Sequence, residues 1–209
     1  MTKLPVIDFL SGKMQYRARH ASLRRENLAR ALGLKNKTPK KIIDATAGLA
    51  RDSFILASLG FEITLLERSP IIFNLIQSAI DKAKKDPKTQ LIMHRMHLIQ
   101  ADAILWLKKL KTEDYPDMIY LDPMFPPKKK SALSKQEMRV FHEIVGADAD
   151  ADRLLKTALT CAKERVVVKR SRLAKPLADI HPNVAMVGGS SRFDIYLTRE
   201  SHGNLAHAT

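Results

Sequence analysis

Asp122, Pro123 and Phe125 stand together in the stretch Leu121-Asp122-Pro123-Met124-Phe125-Pro126. The Asp122 carboxylate and the Pro123 carbonyl each accept a hydrogen bond from an amine. Phe125 offers a face on which a flat ring stacks. Together the three groups suit a planar acceptor that carries an exocyclic NH₂. The stretch follows Asp117-Met118-Ile119-Tyr120, an apolar run that reads as a buried strand. Proline cannot donate to a sheet ladder, so the strand ends there and the loop beyond it is stiff. Such a loop at the carboxyl end of a parallel strand is where open α/β sheets place their chemistry. A tight turn with an exposed Asp would account for the same residues without chemistry, and the rest of the chain weighs against it.

The elements that must position this loop follow from periodicity and punctuation. Strands are expected at 41–46, 61–67, 96–101 and 117–122, each followed or separated by a helix: from Arg51 to Gly60, 70–85 with Pro70 in its first turn, and 103–110. This alternation predicts a mostly parallel sheet with helices on both faces and right-handed crossovers. Further helices are expected at 14–32, with Gly33 as its C-cap, at 134–146, 149–163 and 172–180. Arg165-Val166-Val167-Val168-Lys169 reads as a strand. Residues 184–187 and 192–198 pair as an antiparallel end to the sheet around Gly188-Gly189. Residues 1–40 form a basic N-terminal segment and helix, 41–200 the catalytic domain, and 201–209 a polar, flexible tail.

Asp44-Ala45-Thr46-Ala47-Gly48 joins the first strand to the first helix of the sheet. Its small residues let a ligand approach the backbone closely. A single glycine is not the G-x-G-x-x-G of a dinucleotide site, so a dehydrogenase is disfavoured. Glu67 ends the second strand, where a carboxylate accepts from both hydroxyls of a ribose. Asp102 follows the third strand, where an adenine amine can be read. Either acid alone also serves as a helix cap. The ordered set suits an adenosine ligand without a pyrophosphate, and S-adenosylmethionine is one.

Charge points to the partner. Lys and Arg number 36 against 22 Asp and Glu, a formal net charge of +14, with a pI near 10.0. That excess suggests a polyanion, nucleic acid first. Arg17, Arg19, Arg24 and Arg25 on the first helix, Lys128-Lys129-Lys130 beyond the proline loop, and Lys169 and Arg170 at a strand end are the candidate phosphate contacts. One cysteine, Cys161, excludes an intramolecular disulfide, and the scattered His give no zinc spacing, so no metal is expected. The N-terminus lacks the long apolar segment of a secretory signal, and no run is long enough to span a bilayer. A soluble cytoplasmic protein without membrane partners is expected.

With these residues in place the chain resembles the class I S-adenosylmethionine-dependent methyltransferases. Asp122-Pro123-Met124-Phe125-Pro126 resembles the (Asp/Asn)-Pro-Pro-(Tyr/Phe) motif of enzymes that methylate exocyclic amines. More narrowly the chain is similar to the RsmJ family of bacterial ribosomal RNA guanine-N2 methyltransferases. The likeness rests on Asp44 to Asp52, Leu66-Glu67-Arg68, Tyr120 to Pro126, Lys130 to Leu133, Glu137 to Phe141, Val166 to Arg170 and Arg192 to Tyr196. The resemblance implies methyl transfer from S-adenosylmethionine to guanine N2 in 16S ribosomal RNA, on the RNA or the small subunit. It also implies a cofactor site lined by Arg51, Asp52, Glu67, Arg68, Asp102, Ala103 and Asp122. DNA or protein amines are the alternative acceptors, and a non-catalytic RNA-binding protein is the alternative class. Ala50 stands where the family has a second glycine, and a negative φ is expected for it. His20-Ala21-Ser22-Leu23 stands where the family has a Gly-rich segment. The family also carries an additional N-terminal segment, a difference that bears on substrate docking rather than on methyl transfer.

Overall fold

The computed structural model describes residues 5–124 and 149–198. Its seven strands are β1 (Ile42–Asp44), β2 (Ile63–Glu67), β3 (Met96–Gln100), β4 (Met118–Leu121), β5 (Arg165–Ser171), β6 (Val184–Val187) and β7 (Ser191–Leu197). They form one sheet in the order β3-β2-β1-β4-β5-β7-β6. The pairs β1–β2, β1–β4, β2–β3 and β4–β5 are parallel. The C-terminal strand β7 runs antiparallel to both β5 and β6. The expected mostly parallel α/β sheet with an antiparallel C-terminal strand is therefore found.

Both faces of the sheet are covered because its central strands are apolar on both sides. Ile42, Ile63, Leu65, Met118, Tyr120 and Val167 pack into one cluster with helices α2 (Asn27–Ala31), α3 (Arg51–Ser58) and α4 (Pro70–Ala83). Ile43, Leu66, Ile119, Leu121, Val166 and Val168 face the other way, onto α6 (Ala103–Lys108) and α7 (Ala151–Cys161). The period-2 alternation of a strand splits neighbours such as Val166 and Val167 between the two cores. On α4 the buried Ile72, Ile76, Ala79, Ile80 and Ala83 lie at helical spacing. Ser69 caps that helix by accepting from the Ile72 N–H, and Pro70 occupies its first position.

Three expectations are corrected. The helix over 14–32 is two helices, α1 (Gly12–His20) and α2. Ala21 is extended at φ −64° and ψ 140°, and the Ser22 hydroxyl and carbonyl both accept from the following turn. Serine offers the backbone such local alternatives to a helix. The break lets α2 bury Leu28, Ala29 and Ala31 while α1 buries none of its residues. The helix expected at 172–180 is a turn and a short 3₁₀ segment, Leu177–Asp179. Pro176 disfavours a helical Lys175, and Ala178 and Asp179 take φ of 56° and 54°. Ala50, expected at negative φ, sits at φ 52° and ψ 21°, in the left-handed region. There it closes a tight turn, its N–H donating to the Ala47 carbonyl at 2.7 Å and its carbonyl accepting from Phe54 N–H. A further short helix, α5 (Gln90–His94), follows the break after α4. The helix expected at 134–146 lies outside the described residues. Among the described residues no helix is long and apolar enough to cross a membrane.

Candidate active site

The carboxyl ends of β1, β2, β3 and β4 open onto a cavity of about 520 Å³. Its wall brings together Asp44, Gly48, Arg51, Asp52, Glu67, Arg68, Asp102, Ala103, Asp122 and Pro123 from four separate segments. Arg17, Tyr120, Asp150 and Lys169 also line it.

The cofactor turn is built from β1 outward. Asp44 is buried at the strand end; its carboxylate accepts from the Ser53 hydroxyl and from the Thr46 N–H. Burial pushes its pKa up to about 7, against the opposing pull of those two hydrogen bonds. Gly48 takes φ 54°, a conformation glycine adopts freely. Its N–H donates to Glu67 Oε2 at 3.3 Å. Glu67 Oε1 accepts from Ser69 N–H at 2.7 Å. The turn after β1 and the acid closing β2 therefore hold each other. Asp102 caps α6 by accepting from Leu105 N–H at 2.9 Å, and Ala103 begins that helix. Capping and lining the cavity coexist in one residue. Arg68 reaches Asp150 at 3.1 Å.

On the other side of the cavity, Asp122 N–H donates to Thr46 Oγ1 at 2.6 Å, which ties the loop after β4 to the cofactor turn. Lys169 Nζ donates to Asp122 Oδ2 at 2.8 Å and to Asp52 Oδ2 at 3.0 Å. Tyr120 OH donates to the same Asp52 oxygen at 2.9 Å, and Arg17 lies 3.6 Å from Asp52 Oδ1. Burial alone would raise the Asp52 pKa, but Lys169, Arg17 and Tyr120 outweigh it and hold it below the ordinary value. Tyr120 is held well above its ordinary value by burial and by the neighbouring Asp122, Asp52 and Asp44. The coulombic pull of the two carboxylates outweighs desolvation and raises Lys169, so it stays an ammonium.

The expected phosphate contacts separate. Arg19, Arg24 and Arg25 are exposed. Arg17 instead points into the site, salt-bridged to Glu26 at 2.9 Å. Lys169 is a cavity residue. Arg170 is buried and donates to the Lys175 carbonyl at 2.6 Å. Phe125 and Lys128, Lys129 and Lys130 lie outside the described residues. Among the described residues no group of three or more His, Cys, Asp or Glu is placed to hold a metal ion. Sequence reasoning missed Thr46, Tyr120 and Asp150. Tyr120 carried a signal, being a phenol one residue from a strand end beside an expected catalytic loop. Asp150 carried none, since its partner Arg68 is 82 positions away.

A sheet of this order, with a glycine turn after β1, an acid closing β2 and an Asp-Pro loop after β4 around one cavity, defines an S-adenosylmethionine-dependent methyltransferase. Comparisons agree. The family model described as "Putative SAM-dependent methyltransferase" matches residues 2–198. Ribosomal RNA small subunit methyltransferase J of Thioalkalivibrio sulfidiphilus is 48% identical over 92% of this chain and 75% of its own length. The protein of that name from Nitrosococcus oceani is 46% identical over 92% of this chain and 76% of its own. The crystal structure of a SAM-dependent methyltransferase from Neisseria gonorrhoeae, 38% identical, superposes with a TM-score of 0.74 over 97% of this chain and 78% of that one. The chain belongs to the ribosomal RNA small subunit methyltransferase J family of SAM-dependent methyltransferases.

The residues present fit the cofactor. The cavity offers an adenosine-sized volume, a backbone turn at Gly48, a carboxylate at the end of β2, and the apolar Leu66, Ile104 and Leu154. Its carboxylates also suit a ligand whose reactive end is a sulfonium cation.

Proposed function

We infer that this enzyme methylates the exocyclic N2 of a guanosine in 16S ribosomal RNA, acting on the small-subunit RNA in the cytoplasm. The observation that carries the reading is Asp122, fixed by Thr46 and Lys169 at the mouth of the cofactor cavity, in a chain of this family. Glu67 holds the ribose hydroxyls, Asp102 and Ala103 read the adenine, and Asp44, Gly48, Arg51, Asp52 and Arg68 frame the rest of the cofactor. Asp122 and the Pro123 carbonyl accept from the acceptor NH₂ and turn its lone pair out of conjugation with the ring. Phe125 stacks on the base. Bound S-adenosylmethionine supplies an activated methyl group: the nitrogen lone pair forms the new N–C bond, the C–S pair returns to sulfur, and the surplus N–H proton goes to solvent. The protein's share of the rate is positioning. The base leaves its stack to reach the loop. Exposed Arg19, Arg24 and Arg25 supply sequence-blind contacts to phosphate.

The test uses small subunits from cells lacking this protein, methyl-labelled cofactor and digestion of the RNA to nucleosides. Label in N2-methylguanosine is expected. Label in another nucleoside overturns the guanine assignment, and label in ribosomal protein overturns the RNA.

A further inference from the structure

The acceptor side of Asp122 is bounded by a wall that continues past Lys169 into residues with no cofactor role. In the β4–β5 register Leu121 pairs with Val168, so Asp122 stands level with Lys169. The strand β5 then continues to Ser171, and β7 starts opposite it at Ser191. The two strands rise two residues past Asp122, about 7 Å at the strand repeat. β6 ends on the same side, Val187 pairing with Arg192. Every assigned cofactor residue except Asp122 lies on the β1–β2–β3 half of the sheet or in the segments that follow those strands; the wall lies on the β5–β7–β6 half.

The top of the wall is rigid and mixed in chemistry. Arg172 N–H donates to Ser190 O, Ala174 N–H to Ser171 O, Arg192 Nη1 to Arg172 O, and Arg170 Nη2 to Lys175 O. All four bonds use backbone atoms of residues 171–175, which leaves the side chains available. Leu173 is 83% exposed and Val187 60% exposed. Arg172 and Lys175 beside Leu173 are exposed cations. Four residues of chain from Lys169 to Leu173 span at most about 14 Å, so this surface borders the site. Apolar side chains set among cations, next to the Asp122 loop at the cavity mouth, suit a nucleic acid strand: cations meet phosphates and apolar groups meet exposed base faces.

We propose that the β5–β7–β6 wall, through Arg172, Leu173, Lys175 and Val187, is the docking surface for the RNA strand flanking the acceptor nucleotide, a role that rests on the function proposed above. The cofactor enters on one side of Asp122 and the RNA on the other. The variants are R172A/K175A and L173A, with L173M as the conservative control. Each is measured for binding to small subunits across a salt series, for steady-state methyl transfer, and for cofactor affinity by calorimetry. Cofactor affinity is expected within twofold of wild type, because none of these side chains lines the cavity. R172A/K175A is expected to bind subunits at least tenfold more weakly. Its slope of log affinity against log salt should be shallower by about 1.5, as two lost phosphate contacts require. L173A is expected to lose about tenfold in kcat/KM, and L173M to recover it. Wild-type affinity and slope in R172A/K175A would overturn the proposal. So would weaker binding with an unchanged slope, which would place a ribosomal protein on the wall. A wild-type enzyme that labels no small-subunit RNA would instead overturn the acceptor reading itself.

Discussion

Lys169 is the residue whose role only the folded chain reveals. It lies 47 positions from Asp122 and 117 from Asp52, and in sequence it is one cation in a basic strand end. In the fold its ammonium separates two carboxylates that would otherwise repel, and it fixes the orientation of Asp122. Lys169→Met is expected to lower kcat about 100-fold, the scale of losing one preorganised polar contact. Lys169→Arg should restore a large part, since it keeps a cation between the two carboxylates; wild-type kcat in the Met variant would contradict the assignment. Asp44 makes a second prediction at this scale. Its folded pKa is about 7 against an ordinary 3.8. Between those values the unfolded chain binds fewer protons than the folded one, so this group lowers stability as pH rises from about 4 to about 7 and adds no slope outside that window. Asp44→Asn removes that contribution. Thermal midpoints of variant and wild type, compared across the window, should show the wild type losing ground relative to the variant as pH rises; parallel curves would refute it.

At the scale of elements, what was legible was whatever local periodicity and punctuation encode. β2, α3, α4 and the β6–β7 hairpin were readable because apolar spacing, Pro70, Gly60 and Gly188-Gly189 are local signals. The break at Ala21 was not, because apolar residues at helical spacing run through it; the local bonds to Ser22 become decisive only once Leu28 and Leu32 must be buried. The left-handed Ala50 was not, because φ is set by closure of the cofactor turn. Alanine there costs about 1–2 kcal/mol. Ala50→Gly should therefore stabilise the protein by about 0.5–1 kcal/mol after the entropy of the added glycine, seen as a raised denaturation midpoint. Gly33 is the converse. It sits at φ 71°, and a Cβ there would come within 2.6 Å of the Arg165 guanidinium, which donates to the Ala31 carbonyl. Gly33→Ala should lower stability by about 1–2 kcal/mol, and an unchanged midpoint would mean the α2–β5 contact is looser than it stands.

Across the whole molecule, the site is a property of the sheet edge. Four parallel strands, β1 to β4, deliver the cofactor turn, the two acids and the Asp-Pro loop to one rim because parallel strands end together there. Asp122, Glu67, Asp102 and the Gly48 turn could be read in advance, since each follows a strand and the order of strands gave them a common side. Asp150 and the Asp52–Lys169 bridge could not, since their partners lie 82 and 117 positions away in sequence. The measurement that bears most directly on the account is made in cells, by mass spectrometry of 16S ribosomal RNA fragments from a strain lacking this protein. One guanosine should lose its N2 methyl group, regain it when the wild-type protein is restored, and remain unmethylated with Asp122→Asn. Unaltered methylation of small-subunit RNA in the deletion strain, or full restoration by Asp122→Asn, would contradict it.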